Sequence, residues 1–305
     1  VISKPTRIII GERQKLERTL ESGLKYNNIY EIRVWGLKRS GNHAIINWIA
    51  SMFDEPVYFF NNCRLYKDAS DQIFCKSRFG RNGDINHKKY YVSNDGYSYR
   101  KKKKIAYKIY DKYLIYSFEN MDIKLSNTIT HWAGESKYKF DVLILRDIWN
   151  WMASYVSINN RNCLPGTPLN EYNPEYKDDP YAKYISGVGF LEIKYLYDMW
   201  YEHANECIGN TNHLQYNFVP ILFNNWITDE KYRKNIASKF KLENNDETLE
   251  HTSFPGSSFS DEEDKNVLER WRKYEHSTAF WTQLLNCNDA TNLSKKIFGR
   301  LKKSG

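Results

Sequence analysis

No stretch of this 305-residue sequence approaches the roughly 18 consecutive apolar residues that a membrane-spanning helix needs. Its opening, VISKPTRIIIGERQK, lacks the apolar centre and the small-residue cleavage site of a secretory leader. Cysteine is sparse and unpatterned: Cys63, Cys75, Cys163, Cys207 and Cys287 form no C-x-x-C pair, and no histidine stands at metal-ligand spacing from any of them. An odd, scattered set argues against a disulfide framework and against a zinc site. It fits reduced thiols, so a cytoplasmic protein is expected. Internal repeats and a clear linker are missing too, and one domain over 1–305 is the expectation. What is abundant is aromatic and apolar residues, 16% and 41% of the chain, enough for a sizeable core. Net charge is +8, which favours an anionic partner, whether nucleic acid, a membrane surface or a charged nucleotide, without choosing among them.

DVLILRD, Asp141 to Asp147, carries four consecutive apolar residues between charges, as a strand buried on both faces does. EIRVWG (31–36), KYLIYSFE (112–119), HLQYNFV (213–219) and PVYFF (56–60) read as further strands. Between them lie helical patterns: GNHAIINWIASMF, IWNWMASYVSI, and GFLEIKYLYDMWYEHANE with Leu191, Tyr195, Leu196, Met199 and Trp200 at helical spacing. DEKYRKNIASKF and SDEEDKNVLERWRKY open with acids, as helix N-termini favour. Strands alternating with helices predict an α/β fold with a central parallel sheet flanked by helices. Two irregular stretches, 61–104 and 163–189, have the length of inserts or lids. The first ends in Arg100 and Lys101 to Lys104, a run that reads as a solvated face. Acids in the second, Glu171, Glu175, Asp178 and Asp179, would suit a cationic acceptor.

After the strand EIRVWG comes LKRSGNHAIINWI. Gly36 and Gly41 are spaced as in a phosphate-binding G-x-x-x-x-G loop. Such a loop, with the helix N-terminus behind it, cradles a phosphate on backbone amides. An ATPase would follow the second glycine with Lys and Ser or Thr, for the phosphates and for magnesium. Here Asn42 and His43 follow, and the cations Lys38 and Arg39 lie inside the loop. Arg146 closes the best strand, where ligands of open α/β sheets gather, and Ser154 follows eight residues later. An arginine there can clamp a phosphate, with a hydroxyl adding a bond. Equally, Arg146 could pair with Asp147, which would then cap the next helix. Asp147 also resembles the magnesium-binding acid of an ATPase.

These two sites resemble those of sulfotransferases that use 3′-phosphoadenosine-5′-phosphosulfate (PAPS). That family carries a loop of the type Lys/Arg-Ser-Gly-Thr-Thr for the 5′-phosphosulfate; here it reads Arg39, Ser40, Gly41, Asn42, His43. Its 3′-phosphate site is an arginine at a strand end with a serine eight residues on, as Arg146 and Ser154 are. HTSF at 251–254 is similar to an adenine-contacting T-S-F, which would give Thr252 and Phe254 that role, with Tyr216 at the end of the preceding strand. FPGSSF, with Ser257 and Ser258, resembles the loop that closes over the 3′-phosphate. The resemblance runs from about Ile32 to Tyr274. It departs at Asn42 and His43, where the family has threonines, though amide and imidazole still donate hydrogen bonds. The KTHLP segment that supplies a catalytic histidine in cytosolic members has no counterpart. The loop wording is more similar to bacterial members than to animal ones.

The resemblance implies sulfuryl transfer from PAPS to a hydroxyl or amine, with adenosine 3′,5′-bisphosphate as product and no metal required. Arg39 would neutralise the leaving oxygen, with Lys38 in reserve; Ser40, Gly41, Asn42 and His43 would hold the phosphosulfate. For the proton of the acceptor the candidates are Glu119, at the end of YLIYSFE, then His43, then His131. Similar bacterial enzymes act on natural products and glycans, some tailoring guanidinium alkaloid toxins, so a small natural product is the expected acceptor, with neither nucleic acid nor membrane as partner. The alternatives are a P-loop phosphotransferase or ATPase, and a non-catalytic nucleic-acid-binding protein suggested by the charge and aromatics.

Overall fold

Period-two alternation of apolar side chains sets the layers. The computed structural model describes residues 28–54, 57–61, 63, 74–78, 89–91, 112–129, 136–162, 187–246, 267–285 and 288–299. In β1 (Asn28–Gly36), Ile32 and Val34 face one side of the sheet and Trp35 the other. Its neighbours β5 (Lys112–Glu119) and β6 (Ser136–Leu145) keep the same register, so Ile115, Val142 and Ile144 join the first side and Leu114, Tyr116, Phe118 and Leu143 the second. β2 (Val57–Phe60) lies beyond β5, and β7 (Asn217–Leu222) beyond β6. All five are parallel. β3 (Phe74–Arg78) and β4 (Lys89–Tyr91) extend the β2 edge antiparallel, giving the order β4-β3-β2-β5-β1-β6-β7.

Counted along the chain, the parallel strands run 2-3-1-4-5, with β1 central. This is the α/β, P-loop-like arrangement expected from the alternation of elements. The crevice at the C-terminal end of β1 is the switch point where such sheets bind ligands.

α1 (Asn42–Ser51) lays Ile45, Ile46, Trp48 and Ile49 on the first face, beside Ile236 and Phe240 of and next to α5 (Glu230–Lys239). Each such side chain contributes about 1.5–3 kcal/mol when fully buried. α2 (Ile148–Asn162), α3 (Gly187–Cys207), α6 (Thr278–Leu285) and α7 (Asn288–Phe298) belong to a second core built on Leu145, Trp151, Trp200, Tyr274 and Phe280. A short α4 (Phe223–Thr228) follows β7 directly. Asp229 caps α5 by accepting from the Tyr232 amide at 3.1 Å, as its acidic opening predicts. Among the described residues no helix is long and apolar enough to cross a membrane.

Four readings change. Part of the 61–104 insert joins the sheet as β3 and β4. The last parallel strand starts at Asn217, not His213, and runs through Pro220; only an edge strand, hydrogen-bonded on one side, accepts that proline. Of the expected stripe on α3, Leu196, Met199 and Trp200 are buried, Tyr195 is 60% exposed, and the Leu191 side chain lies outside what the structure describes. Residues 270–274 form a 3-10 helix after a turn at 267–268. Apart from residues 61, 63 and 187–189, the rest of both inserts, the lysine run included, lies outside the described residues.

Beneath the switch point sits a buried ion pair. Arg33 donates to both carboxylate oxygens of Asp141 at 2.7 and 2.6 Å and to the Ser126 carbonyl at 3.1 Å. The Trp35 indole and the Tyr216 amide complete the Asp141 shell. Removing one partner of so enclosed a pair costs about 3–5 kcal/mol.

Candidate active site: a loop between two unlike flanks

Gly36 ends β1 where the chain must turn under α1. A Cβ there would meet Asn42 Oδ1 at 2.5 Å and the Ile144 carbonyl at 3.2 Å, so the close approach requires glycine. The turn closes with the Ser40 amide donating to the Leu37 carbonyl at 3.1 Å. Arg39 holds φ at 76° and Gly41 at 90°. For arginine this left-handed backbone is strained, at a cost on the order of 1–3 kcal/mol. Gly41 then starts α1, whose first turn has no side-chain cap and no acidic residue. The positive end of the helix therefore faces the loop with no acid of its own to offset it.

The β6 flank is cationic. Arg39 donates from Nε to Ser154 Oγ at 3.3 Å. Arg146, only 1% exposed, donates to the Arg39 carbonyl at 3.2 Å and to the Val267 carbonyl. Its guanidinium lies 4.9 Å from the centre of the Phe223 ring. Its Nε has no hydrogen-bond partner among the described residues. Burial first, then the like charges of Arg270 and Arg39, partly opposed by Asp147, push Arg146 down to about 9. Asp147 is itself occupied: it accepts from the Asn150 amide at 2.9 Å and from the side chains of Asn150 and Asn224. It caps α2, and its likeness to a magnesium-binding acid ends there. The Trp151 indole, in turn, donates to the Lys38 carbonyl at 2.9 Å.

The β5 flank carries an imidazole, amides, a hydroxyl and a carboxylate. Asn42 Nδ2 donates to the Leu37 carbonyl at 3.1 Å and to Glu119 Oε1 at 3.0 Å. Asn120 ties the end of β5 to the loop, accepting from the Lys38 amide at 2.8 Å and donating its own amide to the Gly36 carbonyl at 3.1 Å. His43 Nε2 lies 2.9 Å from Asn61 Oδ1, one residue past β2, and the Ser117 hydroxyl donates to the same oxygen at 3.0 Å.

The structure thus brings together Lys38, Arg39, Ser40, Gly41, Asn42, His43, Glu119, Arg146 and Ser154. Ser154 meets Arg39, while Arg146 meets the loop backbone. Asn42 serves as a strut of the loop, its amide turned to Leu37 and Glu119 instead of outward. Tyr216 falls elsewhere: it precedes β7, at the opposite end of the sheet, with its ring centre 3.9 Å from the Arg33 guanidinium. Its expected place at a strand end came from the resemblance alone; the strand begins one residue after it. His131, Thr252, Phe254, Ser257 and Ser258 lie outside the described residues. Sequence reading missed Arg270, Asn61 and Asn120. Arg270 stood in RWRKY as one cation among many, and an asparagine one residue beyond a strand end carries no pattern.

No family model matches this sequence, and no curated protein matches it. Among solved structures, a sulfotransferase domain from the Synechococcus PCC 7002 olefin synthase aligns with 92% of this chain and 98% of its own, at 11% identity and a TM-score of 0.45.

Proposed function

We propose that the protein is a sulfotransferase that takes a sulfuryl group from PAPS and passes it to a hydroxyl or amine of a small molecule. One observation carries this reading. Arg146 is buried beside Arg39 and Arg270, one of its donors is unpartnered among the described residues, and the adjacent Asp147 is spent on a helix cap. A buried cation so placed at a switch point is stabilised by a bound anion. PAPS, when bound, supplies the sulfuryl group and a phosphate leaving group.

Arg146, Ser154 and Arg270 are suited to the nucleotide phosphate. The Gly41 end of α1, Ser40 and Lys38 are suited to the phosphosulfate. Arg39 is suited to neutralise charge on the leaving oxygen, the largest electrostatic contribution in such transfers. The acceptor enters from the β5 flank, and its proton leaves toward Glu119 or His43. A carboxylate among amides fits a small neutral or cationic acceptor, which agrees with a natural-product substrate of the guanidinium type.

The test is calorimetry with adenosine 3′,5′-bisphosphate, followed by transfer of label from radioactive PAPS across acceptor classes. No binding of the bisphosphate overturns the proposal. Magnesium-dependent ATP turnover lost in Arg39→Ala would make the protein a phosphotransferase instead.

A further inference from the structure

Resting on that reading, we infer that Phe223 is a positioning residue. Its ring is the spacer that fixes Arg146 against the Gly41 end of the loop, and so sets the separation of two phosphates that the site can hold together.

The strands explain how these residues meet. β6 and β7 are parallel, and their last residues, Leu145 and Leu222, are in register. The next residue on each, Arg146 and Phe223, therefore leaves the sheet side by side. The Phe223 ring is 6% exposed, and the Arg146 guanidinium lies over it, 4.9 Å from its centre. Arg146 in turn donates to the Arg39 carbonyl at 3.2 Å. The same ring closes on the loop: a Cβ at Gly41 would stand 2.3 Å from both Cδ2 and Cε2 of Phe223. Gly41, Phe223, Arg146 and Arg39 thus form a closed circuit that begins and ends on the loop.

The ring is held from behind. It packs on Trp226 at 5.8 Å between centres, and Trp226 packs on Trp48 of α1 at 6.0 Å. The next residue, Asn224, donates to Asp147 Oδ2 at 2.9 Å, so the first turn of α4 grips both residues that follow β6. The choice of side chain matters. An aromatic face attracts a guanidinium through its quadrupole and occupies none of its N–H donors. A carboxylate in that place would neutralise the cation, and an aliphatic side chain would not hold it. Phe223 therefore fixes Arg146 while leaving its charge for an anion.

The experiment is calorimetry with two probes: adenosine 3′,5′-bisphosphate, which carries two phosphates, and adenosine 5′-monophosphate, which carries one. Phe223→Leu stays apolar but loses the aromatic face. It should weaken the bisphosphate on the order of tenfold and leave the monophosphate nearly unchanged, and Phe223→Tyr should restore the bisphosphate. Phe223→Met gives the same reading if the leucine variant does not fold. An equal loss for both probes, as a ring touching the nucleoside would give, or no loss for either, overturns the inference. Urea unfolding reads the contact without ligand. The losses from Phe223→Leu and Arg146→Ala should combine to less than their sum, because both remove one contact; additive losses overturn the inference. Absence of bisphosphate binding together with non-additive losses would overturn the sulfotransferase reading alone.

Discussion

On the β6 side of the loop the working groups are guanidiniums on buried main chain. On the β5 side they are amides, a hydroxyl, an imidazole and a single carboxylate. The two flanks meet at Lys38, whose carbonyl accepts from Trp151 on the β6 side and whose amide donates to Asn120 on the β5 side. The contrast shows how one turn serves two partners of opposite demand. In the proposed reaction the cationic side would hold the anionic donor, and the β5 side, with its one described carboxylate, would receive the group that loses a proton. Asp147 marks the boundary: its carboxylate is hydrogen-bonded to Asn150 of α2 and Asn224 of α4, and it offsets only part of the burial and like-charge cost on Arg146.

The contrast breaks hardest at Arg39. Arg39→Ala should lower turnover by about three orders of magnitude, read by steady-state transfer from PAPS, with a smaller loss of bisphosphate affinity. A loss of affinity as large as the loss of rate would make Arg39 a binding group only. Next comes Arg146. Arg146→Ala should weaken the bisphosphate by about 100-fold in calorimetry, and Arg146→Lys should not restore it, because a point charge cannot reproduce a planar fork. Gly41→Ala strikes both flanks at once. Its Cβ would stand 2.3 Å from the Phe223 ring at a φ of 90°, so urea unfolding should show a loss of about 1–3 kcal/mol. Unchanged stability would mean that Phe223 yields freely. Glu119→Gln keeps an oxygen for Asn42, so a loss of turnover of about 100-fold or more would make Glu119 the base, and a loss below about tenfold would remove it from the candidates.

The smallest effect on either flank is expected at His203, buried in α3. Burial pushes it down to about 4, with the Met121 backbone and Asp122 pulling the other way. The unfolded chain, with its histidine near 6.5, takes up the proton first as pH falls. The stability contributed by keeping this ring neutral is therefore whole above about 6.5 and is lost between there and about 4. His203→Gln should flatten that acid slope in thermal unfolding while transfer activity is unaffected; an unaltered slope would assign it to other groups.

Strand composition made the sheet readable. KYLIYSFE and the core of β6 carry unbroken apolar runs that only a doubly covered strand tolerates. The loop and Arg146 with Ser154 were readable because backbone geometry ties them to fixed spacings. β7 was misjudged at Pro220, where a proline that ends a central strand merely sits on an edge. β3 and β4 were missed because their pairing is with β2 and with each other, not with any local pattern. Asn61 and Arg270 reach the site only through the tertiary fold, across 18 and more than 100 residues.

Trp151 adds an optical consequence. Its indole is hydrogen-bonded to the Lys38 carbonyl, inside a core that excludes water. Charge arriving at the loop changes the field along that bond, and indole emission follows the local field. Because the chain has nine tryptophans, the difference in emission between the protein and Trp151→Phe is what would gauge loop occupancy, with no label needed.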